Sequence, residues 1–503
     1  MSRIYWGEAA TKPVDACVEG GIVEIDGETY YRVSNYDRMP PFLMSIVSSS
    51  DLWMFVSSSG GLTCGRGSPD LALFPYETDD RIHDSAHHAG PRTCFLVERP
   101  GRKSLWIPFA EGAPVYATER NLYKSIIGSR LVFEEVNHDL GLVFSYTWAP
   151  GDRFGFTRTS RVRNTGETEV SVELLDGFRN ILPPGIGQDM QARLSTLMDA
   201  YKVSEIDADS GAGIYSLSSL PTDRAEPKEA LQASLVCNIG LERPVVLLSE
   251  NQLGKFCSGQ AIEPETRVNG QRGAYFVHSS IALQPGEQKE WMMLADTGLC
   301  AAALTSRLQS VAGDRVRREV ERDIAASEQR LRELAGAADG FQFTADERVS
   351  GRHFANTLFN IMRGGTFVED YRIPRDDLLD FVHSWNAAKR APFSRLLDTI
   401  EEPLTRQNLV DAVETTNDPD LKRLALEYLP LIFSRRHGDP SRPWNKFNIE
   451  IRDEDGTEKL GYQGNWRDIF QNWEALGFSY PEYIEHFITR FVNTSTIDGY
   501  NPY

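Results

Sequence analysis

The sequence predicts a protein of more than one domain, in which a large antiparallel β-sandwich is followed by a helical part. The chain has 503 residues, which is too many for one compact core. Short apolar segments that end in turn residues recur from the N-terminus to about residue 300. Helical periodicity then replaces this pattern and continues towards the C-terminus.

The first part of the chain reads as a series of strands. Predicted strands cover 21–25, 30–33, 53–56, 131–136, 142–147, 154–164, 169–175, 245–248, 274–280 and 290–295. The turn residues Thr165-Gly166-Glu167 predict a hairpin between two of them. Gln284-Pro285-Gly286-Glu287 predicts a further loop. So many strands with few helical stretches predict a sandwich over residues 1–308.

A long amphipathic helix follows the strands. Asp314 is a plausible N-cap, and Val316, Val320, Ile324, Leu331 and Leu334 recur at helical spacing. Gly336 and Gly340 end the pattern. We therefore expect a helical linker over residues 309–340 that lies on the next domain.

Residues 341–503 are predicted to be helical. Predicted helices cover 345–363, 376–389, 402–416, 419–434, 466–478 and 481–493. Between the predicted helices 419–434 and 466–478, residues 436–455 are predicted to form a long irregular insertion, because Pro440 and Pro443 break any helix there.

Charge and composition exclude several classes of protein. The formal charge is −19, from 72 acidic and 53 basic residues, which argues against nucleic acid and anionic membranes as partners. No apolar run reaches about 18 residues, and the N-terminus has no apolar signal region. The six cysteines are scattered without a C-x-x-C pair, so free thiols are expected. These features predict a cytoplasmic protein.

The segment from Gly461 to Leu476 is the strongest candidate for a binding site. Arg467 and Gln471 are four residues apart, as are Asp468 and Asn472, so these side chains are predicted to share adjoining helical rows. Trp466 and four further apolar residues, Ile469, Phe470, Trp473 and Leu476, are predicted to cover the other side. Guanidinium and carboxylate groups bind neighbouring hydroxyls, and aromatic faces cover a pyranose ring. A plain helix start with Asp468 near the positive end of the dipole stays open as the alternative.

Two candidate sites in the sandwich have simpler alternatives. His83, His87 and His88 could hold a metal if they were helical, although a polar loop is favoured because no strong metal pattern is present. The glycine-rich segment from Gly60 to Ser68 includes Arg66 and could hold phosphate through backbone amides. It matches neither nucleotide-binding fingerprint, so a tight hairpin is favoured.

Two charged segments in the helical part also have both a functional and a structural interpretation. Paired carboxylates in 369–377 can do acid–base work at a glycosidic bond, but Asp376 can equally cap the next helix. The segment from Ser434 to Trp444 carries three arginines and His437, and a solvated loop is favoured over an anion or sugar site.

The chain resembles the cellobiose phosphorylase-like enzymes of glycoside hydrolase family 94. The order of a sandwich, a helical linker and helices agrees, and the segment from Gly464 to Asn472 resembles the family's G-W-R-D-x-x-Q-D pattern. In that pattern the arginine and a nearby acid hold the non-reducing sugar. Asn465 is an extra residue, and Asn472 stands where the family usually has aspartate.

The resemblance implies that residues 341–503 form the first part of an (α/α)6 barrel. It also implies inverting phosphorolysis of a β-glucoside to an α-sugar 1-phosphate, with inorganic phosphate as co-substrate, no metal or organic cofactor, and a possible homodimer. Trp466, Arg467, Asp468, Gln471 and Asn472 would then bind the sugar. The family's general acid lies well beyond the motif, so this chain is expected to lack it.

Two other functions stay open. One is inverting hydrolysis of a glycoside by water on the same scaffold. The other is a non-catalytic fragment that binds carbohydrate or assembles with other chains.

Overall fold

The computed structural model describes residues 4–12, 16–99, 101–112, 115–222, 224–226, 228–313, 315–436, 438–442, 445–453 and 456–501. The chain forms two compact units, which consist of residues 1–328 with 440–444 and of residues 329–439 with 445–503. The predicted N-cap Asp314 lies outside the described residues. The division between the units falls within the segment that was predicted as the linker.

The first unit is built from antiparallel strands. Its strands are β1 Tyr5–Trp6, β2 Ala9–Ala10, β3 Glu19–Ile25, β4 Glu28–Ser34, β5 Leu43–Ile46, β6 Leu52–Ser57, β7 Leu62–Arg66, β8 Gly90–Arg99, β9 Arg102–Trp106, β10 Thr118–Ser125, β11 Leu131–Asn137, β12 Leu142–Gly151, β13 Gly155–Asn164, β14 Val170–Ile181, β15 Lys202–Ile206, β16 Gly213–Leu217, β17 Gln232–Ile239, β18 Val245–Leu247, β19 Arg267–Asn269, β20 Gly273–Leu283 and β21 Gln288–Cys300. The predicted strands all lie within or largely overlap these elements.

The strands form two main sheets within the described residues. The larger has eleven strands in the order β19-β15-β16-β17-β21-β13-β12-β11-β10-β4-β3, and the smaller has five in the order β18-β20-β14-β8-β9. A three-stranded sheet contains β5, β6 and β7. Along β11 of the larger sheet, every second side chain is buried, as expected for a strand with one face in the core.

The main hydrophobic core lies between the two large sheets. The ring centroid of Phe144 on β12 is 5.2 Å from that of Phe95 on β8. The indole of Trp148 on β12 stacks on Phe178 of β14, with centroids 5.4 Å apart. The same buried cluster contains residues of both sheets. The predicted large antiparallel sandwich is therefore confirmed.

The predicted hairpin at Thr165-Gly166-Glu167 is wrong, although both of its strands are present. Strand β13 pairs with β12 and β21 in the larger sheet, whereas β14 pairs with β8 and β20 in the smaller one. The turn therefore carries the chain from one sheet to the other. Turn residues report local backbone geometry only, and both edges of β13 are already occupied by other strands.

The helices in chain order are α1 Asp79–Asp84, α2 Gln188–Asp199, α3 Leu253–Cys257, α4 Ala301–Val311, α5 Val316–Ala337, α6 Glu347–Gly364, α7 Arg375–Trp385, α8 Arg390–Leu397, α9 Arg406–Glu414, α10 Pro419–Glu427, α11 Ile469–Asn472, α12 Glu474–Ser479 and α13 Ile484–Thr494. Two short strands, β22 Thr366–Phe367 and β23 Leu431–Ile432, pair in the second unit. No helix in the described part of the chain has the length and apolar character needed to cross a bilayer.

The predicted linker helix is α5, and its first half lies on the sandwich rather than on the next domain. Val316, Val320 and Ile324 belong to a buried cluster with Met292 and Leu294 of β21. Helix α4, which was not predicted, packs on the same cluster. It follows β21 directly, and its N-cap Cys300 makes no side-chain capping bond, so the sequence carries no start signal there.

Helix ends in the second unit differ from the predictions. Helix α9 begins at Arg406, because the hydroxyl of Thr405 accepts a hydrogen bond from the backbone N–H of Asn408 and caps the helix there. Pro374, rather than Asp376, is the N-cap of α7, so the predicted capping role of Asp376 is wrong. Helix α10 ends at Glu427, seven residues before the predicted end at Ser434, and β23 follows it. Helix α8 was not predicted. The helical class of this unit is confirmed, and the (α/α)6 barrel stays a prediction.

Candidate functional site

The segment from Gly461 to Leu476 is less helical than its spacing predicts. Residues 466–468 form a turn, and helix α11 begins only at Ile469. The side-chain oxygen of Asn465 accepts a hydrogen bond from the backbone N–H of Arg467 at 3.0 Å. This bond favours a turn over the first helical residues, as asparagine often does. The side chains that precede α11 are thus positioned by a turn.

The apolar side of this segment is buried as predicted. Ile469, Trp473 and Leu476 are fully buried, and the indole Nε1 of Trp473 donates to the carbonyl of Gly364 at 2.9 Å. A Cβ atom on Gly464 would lie 2.3 Å from Cδ1 of Ile469 and 2.7 Å from the carbonyl oxygen of Arg363. Gly464 is therefore required for the close approach of this turn to the end of α6.

Arg467 and Asp468 form an ion pair at the surface. The distances are 3.1 Å from Arg467 Nε to Asp468 Oδ1 and 3.4 Å from Nη2 to Oδ2. The side chain of Arg467 is 51% exposed and that of Asp468 is 34% exposed, so both groups reach solvent. A forked pair of this kind presents donors and acceptors side by side, which suits neighbouring sugar hydroxyls.

The other three predicted binding residues differ in their exposure to solvent. Gln471 is exposed, Trp466 is half-buried, and Asn472 is buried. Asn472 Nδ2 donates to Oδ1 of Asn360 on α6 at 3.0 Å. Because α11 is a single short turn packed on α6, its polar residues are divided between solvent and the interior. The sugar-binding role of all five residues stays a prediction.

Two buried polar atoms in this segment have no hydrogen-bond partner among the described residues. They are the indole Nε1 of Trp466 and the side-chain oxygen Oδ1 of Asn472. Unpaired polar atoms are uncommon in protein interiors, and a bound water or ligand group is one of their usual partners. These two atoms lie close in sequence to the Arg467–Asp468 pair.

Aromatic rings hold the segment against α13. Trp466 meets Phe470 edge to face at 5.2 Å, and Phe470 meets Phe491 in the same way at 4.9 Å. Trp473 stacks on Phe487 with centroids 4.9 Å apart. These contacts fix the indole of Trp466, the one aromatic ring of the predicted site, in a defined orientation.

A buried carboxylate beside this segment was missed by the sequence analysis. Glu427 of α10 is 3% exposed and accepts a hydrogen bond from Asn493 Nδ2 at 2.7 Å. Arg490 lies 3.5 Å from the same carboxylate and donates through Nε to the hydroxyl of Tyr462 at 2.8 Å. Glu427 continues the apolar row of Leu421 and Leu424 at a spacing of three, which is the signal that could have revealed it.

Tyrosine–carboxylate bonds connect residues near α7 with the segment before α13. The hydroxyl of Tyr480 donates to Asp370 at 2.7 Å, and that of Tyr371 donates to Glu482. Burial, together with the Glu482 carboxylate, raises the pKa of Tyr371 to about 12. These hydroxyls therefore stay protonated near neutral pH and act as donors.

Burial also shifts the pKa values of two further titratable groups in this region. Desolvation raises the pKa of Asp377, even though the Tyr428 hydroxyl donates to it at 2.6 Å. Desolvation and the positive charge of Arg406 lower the pKa of His486 to about 3. The neutral imidazole can therefore accept the hydrogen bond from Arg406 Nε at 3.1 Å. We infer that Asp377 and His486 stabilise the packing of α7, α9 and α13.

The candidate sites in the first unit are used structurally. His83 Nδ1 lies 2.7 Å from the hydroxyl of Ser57, and no group of three His, Cys, Asp or Glu side chains in the described residues has metal-binding geometry. Arg66 bonds to Asp296 and Asp51 at 2.7 Å and 2.6 Å. It is the last residue of β7, which pairs with β6 and confirms the predicted hairpin. The arginine is thus committed to carboxylates.

Part of the predicted loop from Ser434 to Trp444 lies outside the described residues, namely His437, Pro443 and Trp444. In the part that is described, the hydroxyl of Ser434 donates to the carbonyl of Arg363 at 2.6 Å and accepts from the N–H of Gln463 at 2.9 Å. These bonds join the start of the loop to α6 and to the candidate segment.

One family model matches the chain. Residues 367–430 match the insertion domain 1 of glycoside hydrolase family 149, a range that runs from β22 to the residues just before β23. No curated protein matched the chain in sequence.

Among solved structures, a bacterial glucoamylase in complex with acarbose aligns with 65% of this chain and 42% of its own, at 8% identity and a TM-score of 0.33. A provisionally assigned kojibiose phosphorylase from the human microbiome aligns with 69% of this chain and 41% of its own, at 8% identity and a TM-score of 0.29. The chain thus spans less than half the length of either protein, and TM-scores this low do not establish a common fold.

These findings connect the chain with glycoside-active enzymes at the level of a scaffold. The connection rests on the matched segment of family 149, which covers the helices α7 to α10. The tyrosine–carboxylate bonds and the Arg406–His486 contact attach that segment to the elements around α13.

Proposed function

We propose that this protein is a carbohydrate-active enzyme that cleaves a β-glucoside by inverting phosphorolysis. The observation that carries the proposal is the solvent-facing Arg467–Asp468 pair, which directly follows the half-buried Trp466 in the sequence. The segment also resembles the G-W-R-D pattern of glycoside phosphorylases, and residues 367–430 match a glycoside hydrolase family.

In the proposed reaction, Arg467 and Asp468 hold hydroxyl groups of the non-reducing sugar, and Trp466 supports the apolar face of its ring. A phosphate oxygen forms a bond to the anomeric carbon from the side opposite to the leaving group. The glycosidic C–O bond breaks, and a general acid protonates the departing oxygen. The products are an α-sugar 1-phosphate and the shortened acceptor sugar. We do not assign the general acid to Asp468 or Glu474, because sequence proximity alone supports neither.

The proposal is tested by incubation of this chain, and of a longer chain that supplies a general acid, with inorganic phosphate and a panel of β-linked disaccharides. Release of an α-sugar 1-phosphate, seen by its anomeric proton signal and by phosphorus NMR, is expected from the longer chain, while this chain alone should bind the sugar. Asp468→Ala and Arg467→Ala should each weaken sugar binding by roughly tenfold or more, since a charge-assisted bond contributes about 1.5–3 kcal/mol. Glu474→Ala is the matched control, because Glu474 is exposed on the next helix and has no proposed role.

Two results would exclude phosphorolysis. Release of free sugar that does not depend on phosphate would assign the protein to inverting hydrolysis, the second function that the sequence leaves open. Sugar binding that depends on Asp468, without turnover in either assay, would assign a binding function instead.

A further inference from the structure

The first unit contains a cavity of about 600 Å³ that the proposed reaction does not use. It is lined by residues of β1, β9, β10 and β11 and of the connections between them. The volume is in the range of pockets that hold small organic ligands. The side chains that line it include an exposed tryptophan, several other aromatic rings and five charged groups.

A buried carboxylate organises one wall of this cavity. Glu135 of β11 is 2% exposed and accepts three hydrogen bonds. They come from the indole Nε1 of Trp106 at 2.8 Å, the backbone N–H of Phe109 at 2.7 Å and Nε of Arg120 at 2.8 Å. Because all three donors are directed to one carboxylate, this wall is rigid and its side chains are fixed in place.

Phe109 lines the cavity in a strained backbone conformation. Its φ angle is 60°, in the left-handed region that a bulky residue rarely adopts. The bond from its N–H to Glu135 holds it there. Strained residues of this kind persist only where the surroundings hold them, and they are concentrated at ligand-binding sites.

The cavity also contains polar groups with unused hydrogen-bonding capacity. Tyr36 is 5% exposed, and its hydroxyl bonds to no other described residue. Burial raises the pKa of this hydroxyl well above its usual value, so it stays protonated. Arg120 donates through Nε to Glu135 and through Nη2 to the carbonyl of Ala110, while its Nη1 donates to none of the described residues. Both groups line the cavity.

The charges around the cavity disfavour an anion. Among the described residues that line it, three are carboxylates, Asp37, Glu111 and Glu135, and two are guanidinium groups, Arg38 and Arg120. Glu135 neutralises Arg120, and Asp37 lies 3.4 Å from Arg38. A ligand with many hydroxyl groups and no charge fits this balance better than a phosphate does.

Trp6 gives the cavity an aromatic surface at its edge. Its side chain is 66% exposed on the short strand β1, which pairs with β2. An exposed indole has a large apolar face, and such a face packs well against the C–H groups of a pyranose ring. The neighbouring Tyr5 is also exposed but does not line the cavity.

We propose that this cavity is a second carbohydrate-binding site, which holds a neutral glucan or oligosaccharide unit between Trp6, Tyr36 and Arg120. Trp6 supports the face of the sugar ring, and the Tyr36 hydroxyl and Arg120 bond to its hydroxyl groups. The site goes beyond the proposed reaction and does not depend on it, since it lies within the sandwich and shares no residue with the Arg467–Asp468 pair.

The test is a calorimetric titration of the full chain with cellotetraose, and with glucose 1-phosphate as the anionic probe. Trp6→Ala and Tyr36→Phe should each weaken cellotetraose binding by about threefold to tenfold, the range expected for one aromatic contact or one hydrogen bond. Tyr36→Phe keeps the buried ring, so the fold is preserved. Tyr5→Ala is the matched control and should bind as the unchanged protein does.

Several results would overturn the proposal. These are the absence of cellotetraose binding, binding that Trp6→Ala and Tyr36→Phe leave unchanged, and tighter binding of glucose 1-phosphate than of the neutral sugar. The titration is repeated with Asp468→Ala, and binding that depends on Trp6 should persist there. Binding that depends on Trp6 without any release of sugar 1-phosphate would reject the proposed reaction and support this cavity site.

Discussion

Different interactions stabilise the interior of each of the two units of this protein. Strands β12, β13, β14 and β21 of the sandwich have 10 to 13 residues and cover one continuous core. In the second unit, the described helices that follow α6 have 4 to 11 residues. Short helices leave many ends and connections, and polar bonds between side chains hold these in place.

The two units also differ in how they accommodate buried charge. In the sandwich, Arg158 of β13 and Asp176 of β14 are both fully buried and join the two sheets, with Nη2 of Arg158 2.6 Å from Oδ1 of Asp176. In the second unit, the buried carboxylate Glu427 pairs with the buried Arg490 and with Arg423, which is partly exposed. The candidate binding segment lies in the second unit, where helix ends are frequent. The packed sheets thus form a rigid scaffold, whereas the connections between short helices present polar side chains to solvent.

The largest expected effect concerns Asp176→Ala. Asp176 also accepts hydrogen bonds from Thr93 and Trp291, both at 2.6 Å, so the variant removes the carboxylate that a buried guanidinium and two buried donors share. We expect the free energy of unfolding of the sandwich to fall by about 3–5 kcal/mol. The measurement is the denaturant dependence of thiol labelling at Cys64 and Cys237, which are buried in the sandwich.

The control for Asp176→Ala is Glu173→Ala. Glu173 lies on the same strand in a partly exposed pair with Lys103, and its removal should change stability by less than about 1 kcal/mol. Equal effects of the two variants would contradict the idea that a buried pair joins the sheets. All six cysteines lie in the first unit, so the labelling reports on the sandwich alone.

The next effect concerns Gly464→Ala in the second unit. The added Cβ would overlap with Ile469 and with the backbone carbonyl of Arg363. Relief of the second overlap requires a backbone shift, which costs more free energy than the rotation of a side chain. We expect a loss of about 1–3 kcal/mol from overpacking, together with weaker sugar binding. Gly477→Ala is the control, because its Cβ would find only an ordinary contact at 3.6 Å with Ile484. Labelling of Cys64 should stay unchanged in both variants, and a change there would mean that the two units unfold as one.

A smaller effect is the pH dependence that His486 contributes. Its pKa is about 3 in the folded protein against an ordinary value of 6.5, so only the unfolded chain binds this proton between those values. Stability is therefore fully present above pH 6.5 and falls as the pH decreases towards 3, by up to about 1.4 kcal/mol per pH unit. His486→Gln should show a shallower fall between pH 6.5 and 4.5 than the unchanged protein. An equal slope in His486→Gln and in the unchanged protein would disprove the assignment.

The accuracy of the predictions differed between the units for a physical reason. The alternating burial along β11 is visible in the sequence, because this strand has one face in the core. The partner of each strand is not visible, which is why the segments on either side of Gly166 were predicted to pair although they lie in different sheets. Helix ends were misplaced at α9 and α10, where a cap and a strand pair rather than apolar periodicity decide the boundary.

The sequence by itself determined the order of a β part, a long helix and a helical part, and it identified the Gly461–Leu476 segment. These follow from periodicity and residue chemistry, which act over a few residues. Only the tertiary structure decided that Asn472 faces Asn360 in the interior while Arg467 and Asp468 reach solvent. It also decided that Trp6, Tyr36, Arg120 and Glu135, which are far apart in sequence, line one cavity. Such placements depend on which distant strands and helices pack together, and spacing along the chain carries no record of that.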